Sequence, residues 1–339
     1  MNSVCCIILA AGAGKRMKSE KPKVLSEVLF KPMIKWVIDM VKSVGIDDIC
    51  VVSGFKRNLL VDYLDNEQIK YKEAFQKEQK GTAHAVNSAA EFLNDHKGYD
   101  VIVLNGDAPL IDEDTVKKAL YVHRKYSASS TVITSKIDNP SGYGRIIRDK
   151  DTDRFKAIVE HKDATTEQLK INEVNSGAYW FKVDDLIEAL KMVQNNNSQG
   201  EYYLTDTLEI LLKNGRSVEP YLTSNPDVIL GANNVAQLSQ LNEIARNRVI
   251  DKLLEYGVNI PCKDGVVISP DVQIGENSTI LPSTIIKGKT IVGKACILGP
   301  NSVIINSRVG SDVSLECVYC SNYTFRSGEE VSPMSKYIS

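Results

Sequence analysis

Apolar residues in the first two-thirds of the chain come in short β-rich runs at 4–9, 49–53, 101–104, 130–135 and 179–183. Amphipathic stretches at 33–44, 84–92 and 115–126 lie between them and predict helices. Alternation of strand and helix predicts a mostly parallel sheet covered by helices on both faces. Sites in such sheets lie beyond the carboxyl ends of the strands, so the loops after Leu9 and Leu104 are the places to look. Residues 235–257 then repeat apolar positions at helical spacing and end at Gly257, as a connecting helix would. A third pattern follows. Every sixth residue from Ile268 is aliphatic: Ile274, Ile280, Ile286, Val292, Leu298 and Ile304. A six-residue period with aliphatic corners predicts a β-helix solenoid. The period slips near Val309 and fades, leaving room for only two or three coils at roughly 18 residues each. The expected organisation is a catalytic-type domain over 1–233, a connecting helix over 234–258 and a short solenoid over 259–339.

Composition narrows the function classes. With 41 Lys plus Arg against 43 Asp plus Glu, the chain has a net charge of −2, which gives no support to nucleic acid or an anionic membrane as a partner. The apolar run 4–11 lacks a preceding basic residue and is cut short by Gly12, so it reads as a buried strand rather than a signal peptide. No run reaches the roughly 18 apolar residues of a membrane span. The expected location is cytoplasmic. Seven cysteines are irregularly spaced. Cys317 and Cys320 form a C-x-x-C pair, but no second pair or His cluster completes a zinc site, and small buried apolar residues are the expectation.

Four segments carry candidate chemistry. The loop Leu9, Ala10, Ala11, Gly12, Ala13, Gly14, Lys15, Arg16, followed by Lys23, is Gly-rich and cationic directly after a strand. Its exposed backbone N–H groups and cations suit a triphosphate, whereas Met17 breaks the dinucleotide fingerprint and Arg16 after Lys15 breaks the P-loop. A solvated basic turn is the bland alternative. Asn105-Gly106-Asp107 ends a predicted strand, and Asp107 there either holds Mg²⁺ or caps a turn. In the stretch 76–84, Gly81 and Thr82 precede a helix and either meet a nucleobase or ribose or, for Thr82, cap that helix, and His84 is equally readable as structural. The fourth group is scattered through Gly142, Glu160, Asn175 and Asn233. Each combines small neighbours with a hydrogen-bonding side chain, as a sugar site or a turn requires.

Taken together, these segments resemble, in order and spacing, the uridylyltransferase half of the bacterial bifunctional N-acetylglucosamine-1-phosphate uridylyltransferase/glucosamine-1-phosphate acetyltransferase family. The resemblance covers roughly residues 4 to 310. Its most specific elements are 9–14 with Arg16, Pro22-Lys23-Val24-Leu25, Gly142-Tyr143-Gly144-Arg145, 159–164 and the block 195–206. It implies a Rossmann-like nucleotidyltransferase domain followed by a short left-handed parallel β-helix. It implies UTP and a sugar 1-phosphate as substrates, with Mg²⁺ as cofactor. Carried over by position, Leu9, Ala10, Ala11, Gly12 and Gly14 would touch the nucleotide, and Gln76, Gly81 and Thr82 would read the uracil. Arg16 and Lys23 would contact phosphates, and Asp107 with Asn233 would hold the metal. Asn105, Gly106, Gly142, Glu160 and Asn175 would line the sugar. A homo-oligomer, trimeric as solenoids of this kind commonly are, is the implied assembly.

The chain departs from that pattern at three places. Lys15 replaces the usual Thr, Asn105 replaces the usual aromatic residue, and the solenoid stops early. The expectation is uridylyl transfer without acetyl transfer. Two other readings keep different parts of the pattern: a transferase for another nucleotide and hexose phosphate, or a binding protein that has lost catalysis.

Overall fold

The computed structural model describes residues 3–14, 17 and 20–339. The chain divides into two compact units. One comprises Met1–Ser26 with Met33–Val235, the other Glu27–Pro32 with Ala236–Ser339. The short segment Glu27–Pro32 is thus the one piece of the early chain that a linear reading assigns to the wrong unit.

The first unit is built on a nine-stranded sheet. Its strands are β1 (Val4–Leu9), β2 (Ile49–Ser53), β3 (Lys72–Phe75), β4 (Asp100–Asn105), β5 (Ser130–Lys136), β6 (Arg145–Arg148), β7 (Phe155–Val159), β8 (Glu173–Lys182) and β9 (Val218–Leu222). The main path runs β9-β5-β8-β4-β1-β2-β3, and β6 joins β8 to β7 at the side. Pairs β4-β1, β1-β2, β2-β3 and β9-β5 are parallel. β8 is antiparallel to both of its main neighbours. β1 shows why this sequence makes such a sheet. Cys5 and Ile7 enter one hydrophobic core, Cys6 and Ile8 the other, and all four are fully buried. A strand apolar at consecutive positions is stable only when both faces are covered, and here helices lie on each.

Sequence periodicity locates β1 and β2 at their observed bounds and the helix at 33–44 nearly so, as Met33–Ser43. It misses length elsewhere. β8 starts at Glu173 rather than 179, because Asn175-Ser176-Gly177 forms an irregularity inside the strand instead of a turn before it. The expected helix at 84–92 is two short ones, Thr82–Asn87 and Ala90–Asp95. Strands β3, β6, β7 and β9 were not legible, being short or partly polar. Among the described residues, no helix is long and apolar enough to cross a membrane.

The second unit carries a helix, Val235–Glu255, and three stacks of parallel two- and three-residue strands. All six-spaced aliphatic residues from Ile268 to Ile304 are buried. The period does not fade after Val309, as the six-residue ruler suggests; it contracts. Val309 lies above Val292, Leu315 above Leu298, Cys320 above Ile304 and Phe325 above Val309. One stack reaches five strands, so the solenoid is longer than the two or three coils expected. Cys320 occupies an aliphatic corner, where burial pushes its thiol up. All seven cysteines are free, and the C-x-x-C pair is thereby core and turn. The segment Glu27–Pro32 is a hairpin in this unit. Its Lys31 ammonium binds Asp271 at 2.8 Å, and the Leu29 N–H donates to Asn242 Oδ1 at 2.8 Å.

Candidate active site

The carboxyl ends of β1, β3 and β4 deliver the expected segments to one edge of the sheet. Leu9 pairs with Asn105 across the β1-β4 ladder, so the Gly-rich loop and the Asn-Gly-Asp turn emerge side by side. The Gly106 N–H donates to Leu9 O at 2.9 Å and ties them together. β8 reaches the same edge by the opposite route. Because it runs antiparallel, its amino-terminal half, with Asn175, arrives beside the carboxyl ends of its neighbours. The register jumps between Asn175 and Tyr179, a bulge that turns the Asn175 side chain toward the site. Gly177 at φ +77° sits in that bulge, and a Cβ there would fall 2.3 Å from Asn105 Nδ2.

Two cavities result. The first, about 250 Å³, is walled by Leu9, Ala10, Ala11 and Gly12 from the loop, by Lys23, Asn105 and Asp107, and by Gln76, Gly81 and Thr82. Gln79 and Glu201 also line it. The second, about 180 Å³, is walled by Glu160, Asn175, Gly177, Tyr179 and Thr205. Leu9, Thr82 and Asn105 belong to both, so the two cavities share a wall.

The segments around Gly81 and Tyr202 form one clasp. Ala83 N–H donates to Tyr202 O at 2.9 Å and Tyr202 N–H to Lys80 O at 2.8 Å. A Cβ on Gly81 would lie 2.4 Å from Tyr202 O, so only glycine fits. Thr82 does not cap its own helix. Gly81 is the N-cap, and the Thr82 hydroxyl instead accepts from Leu204 N–H at 2.9 Å. The 76–84 stretch and the 195–206 block, far apart in sequence, are therefore one wall.

Lys23 stands where a cation is expected. Its ammonium is ion-paired with Asp107 and donates to Asn233 Oδ1 at 2.8 Å. Those are the two side chains the resemblance assigns to the metal. Gly231 packs against Asp107, holding the 231–233 turn in place. Among the described residues, no group of three His, Cys, Asp or Glu forms a metal cage. One carboxylate and one amide oxygen meeting a single positive charge fit Mg²⁺, which takes few protein ligands and completes its shell with water and substrate phosphate.

Electrostatics differ across the shared wall. Glu160 is held above the usual carboxylate range by burial first, then by the charges of Asp163 and Asp206. Asp206 is pushed up to about 6 by burial, then by Glu209 and Asp163. Asn175 donates to the Tyr179 hydroxyl at 2.6 Å and accepts from Gly177 N–H at 3.0 Å, which fixes its amide.

The remaining expected residues lie elsewhere. Gly14, at φ +56°, packs against Lys23, where a Cβ would be 2.6 Å from Lys23 Cβ. Gly106 is buried behind the wall, and Gly142 is exposed at φ +86°; neither cavity wall includes them. Arg16, like Lys15, lies outside the described residues. Gln79, Glu201, Tyr179 and Thr205 are wall residues that sequence reasoning did not name. Three of them fall inside the 76–84 and 195–206 segments already singled out. Tyr179 carries no signal beyond a strand aromatic.

Known proteins agree with this architecture. Residues 5–227 match the nucleotidyl transferase family and residues 271–306 the bacterial transferase hexapeptide repeats. The bifunctional protein GlmU of Acetivibrio thermocellus is 44% identical over 93% of this chain and 68% of its own length. The GlmU of Clostridium beijerinckii is 40% identical over 98% of this chain and 71% of its own. The chain belongs to the GlmU family. Over 73% of its length the chain also shares the fold of a UDP-glucose pyrophosphorylase solved with UDP-glucose, at a TM-score of 0.61 and 20% identity, covering all of that chain. The class expected from the sequence, an N-acetylglucosamine-1-phosphate uridylyltransferase, is the class of this family.

Proposed function

We propose that this chain joins N-acetylglucosamine 1-phosphate to UTP, forming UDP-N-acetylglucosamine and pyrophosphate. The observation that carries the reading is the shared wall: a nucleotide-sized cavity with Lys23 and Asp107 abuts one lined by Glu160 and Asn175. A phosphate oxygen of the sugar phosphate attacks the α-phosphorus of UTP, and the bond to the bridging oxygen of the β-phosphate breaks. The nucleophile is already anionic near neutral pH, so no general base is needed, and the residues contribute positioning and charge. Leu9 to Gly12 would seat the nucleotide, with Gln76, Gly81 and Thr82 against the uracil. Asp107 and Asn233 would hold Mg²⁺, which when bound would supply charge neutralisation to the phosphates. Lys23, relieved of those two oxygens, would turn with Arg16 to the departing pyrophosphate. Glu160 and Asn175 would bind the N-acetylglucosamine moiety. A homo-oligomer assembled through the solenoid belongs to the same reading and is checked by light scattering.

The test is pyrophosphate release with Mg²⁺ across UTP, dTTP, ATP and GTP against N-acetylglucosamine 1-phosphate, glucose 1-phosphate and galactosamine-type phosphates. Turnover confined to UTP with N-acetylglucosamine 1-phosphate supports the proposal. A different preferred pair moves the substrate, and Asn105, present in both cavities in place of the family's aromatic, favours that second reading most. No turnover with any pair sinks both. For the polypeptide of residues 1–339, acetyl transfer from acetyl-coenzyme A to glucosamine 1-phosphate is expected to be undetectable, and its detection would reverse that expectation.

A further inference from the structure

One buried amide in the first cavity has its orientation fixed by its two protein partners. Gln76 is 3% exposed and is one of the residues lining that cavity. Its amide nitrogen lies 3.1 Å from Gly81 O and 3.0 Å from His84 Nδ1. A backbone carbonyl can only accept, so the Gln76 atom facing it must be the NH₂. That NH₂ has two hydrogens. One goes to Gly81 O and the other to His84 Nδ1, which must therefore carry a lone pair, placing the ring hydrogen on Nε2. Both donors are spent inside the protein. What Gln76 can offer a ligand is its carbonyl oxygen, Oε1.

We propose that His84 is a positioning residue that fixes the Gln76 amide and thereby selects an imide-bearing pyrimidine over cytosine. This rests on the uridylyl reading above. An imide presents a ring N–H, and Oε1 accepts from it. Gly81 lines the same cavity, and among the described residues no protein group accepts from its N–H, which leaves a donor for the adjacent base carbonyl. Cytosine reverses the pattern, with a lone pair on the ring nitrogen and an amino group beside it. Oε1 would then oppose a lone pair, and two polar groups would be buried unmatched. Sites built on a ligand N–H reject analogues lacking it more strongly than apolar pockets reject a change of size. A terminal amide torsion is soft and roughly two-fold. Gly81 O alone gives one restraint on it, and His84 supplies the second. His84 sits in the first turn of the helix Thr82–Asn87, whose start is clasped to Tyr202, so the imidazole is placed by the wall itself.

The experiment measures kcat/KM for UTP and CTP with N-acetylglucosamine 1-phosphate in the full chain, in His84→Phe and in His84→Gln. Thermal unfolding is recorded for each. His84→Phe keeps a flat ring without an acceptor, and its UTP:CTP ratio is expected to fall roughly tenfold, the worth of one buried hydrogen bond. His84→Gln can accept through its own Oε1 and is expected to keep most of the preference. His84→Leu replaces the Phe variant if that one does not fold. A folded His84→Phe or His84→Leu with the parental ratio overturns the inference while leaving uridylyl transfer intact. A parental chain that does not turn over UTP sinks the uridylyl reading itself, and this inference with it. A second readout needs no substrate. The ¹⁵N shifts of His84 should show Nδ1 as the unprotonated nitrogen, and a protonated Nδ1 would refute the arrangement.

Discussion

The two sides of the shared wall handle charge in opposite ways. On the nucleotide side, polar groups are already matched within the protein: Lys23 binds Asp107 and Asn233, and Gln76 binds Gly81 and His84. On the other side, Glu160 lines the cavity, partly buried near Asp163 and Asp206, and both Glu160 and Asp206 are shifted toward the neutral form. The difference fits what the proposed function asks each side to bind. A triphosphate would bring excess negative charge to the Lys23 ammonium. A sugar would bring hydroxyl and amide donors, for which the Glu160 carboxylate is an acceptor.

The largest expected effect breaks the nucleotide side. Asp107→Ala removes one of the two oxygens under Lys23 and should lower kcat by about a thousandfold, a loss of roughly 4 kcal/mol of barrier reduction. The measurement is pyrophosphate release at saturating substrates, alongside circular dichroism to confirm the fold. Near-parental turnover would remove Asp107 from the metal and phosphate machinery. Chelating Mg²⁺ should stop turnover equally, read by the same pyrophosphate assay.

Glu160→Gln tests the sugar side and should raise the sugar-phosphate KM roughly tenfold to a hundredfold, with less change in the KM for UTP. The pH dependence has a definite sign. Glu160 is raised in the fold, so its accepting, ionised form is lost at a higher pH than for an ordinary carboxylate as pH falls. The parental kcat/KM for sugar phosphate should therefore drop sooner on the acid side than that of the Gln variant. The phosphate's own ionisation is common to both, so the ratio of the two profiles isolates Glu160. Superimposable profiles would detach this carboxylate from the sugar.

A smaller effect concerns stability. Asp206 has a folded pKa of about 6 against 3.8 unfolded, so its charged form opposes folding. Stability should rise as pH falls from 7 through about 6 and level off below the unfolded value. Asp206→Asn should remove that slope and raise Tm by about 2–4 °C at pH 7, for a net gain of about 1 kcal/mol once the lost helix-terminus attraction is deducted. An unchanged slope would show that another group carries it. Smallest of all, Cys317→Ser should leave activity and Tm nearly unaltered, since Cys317 is partly exposed in a turn and bonded to no other cysteine. A fall in either would reopen the C-x-x-C pair.

The solenoid and the site divide the labour between sequence and structure. Six-spaced aliphatic residues from Ile268 to Ile304 predict buried corners because each residue meets a neighbour one coil away, so the period is the contact map. Even there three one-residue contractions, before Val309, Cys320 and Phe325, hid Val309, Leu315, Cys320 and Phe325 from a fixed ruler. In the first unit, β1 and β2 were legible because doubly covered strands are apolar without interruption. The loops after them were legible as chemistry because glycines and cations follow a strand. What sequence alone could not decide was partnership. Lys23 reads as a phosphate ligand, yet its ammonium rests on Asp107 and on Asn233, which is 210 residues away. Thr82 reads as a helix cap, yet its hydroxyl holds Leu204. Asn175 reads as a turn, yet an antiparallel strand carries it to the edge where the parallel strands end. Local pattern determines which face of an element is buried. Hydrogen-bond partners are chosen only when the chain closes and every buried donor must find an acceptor.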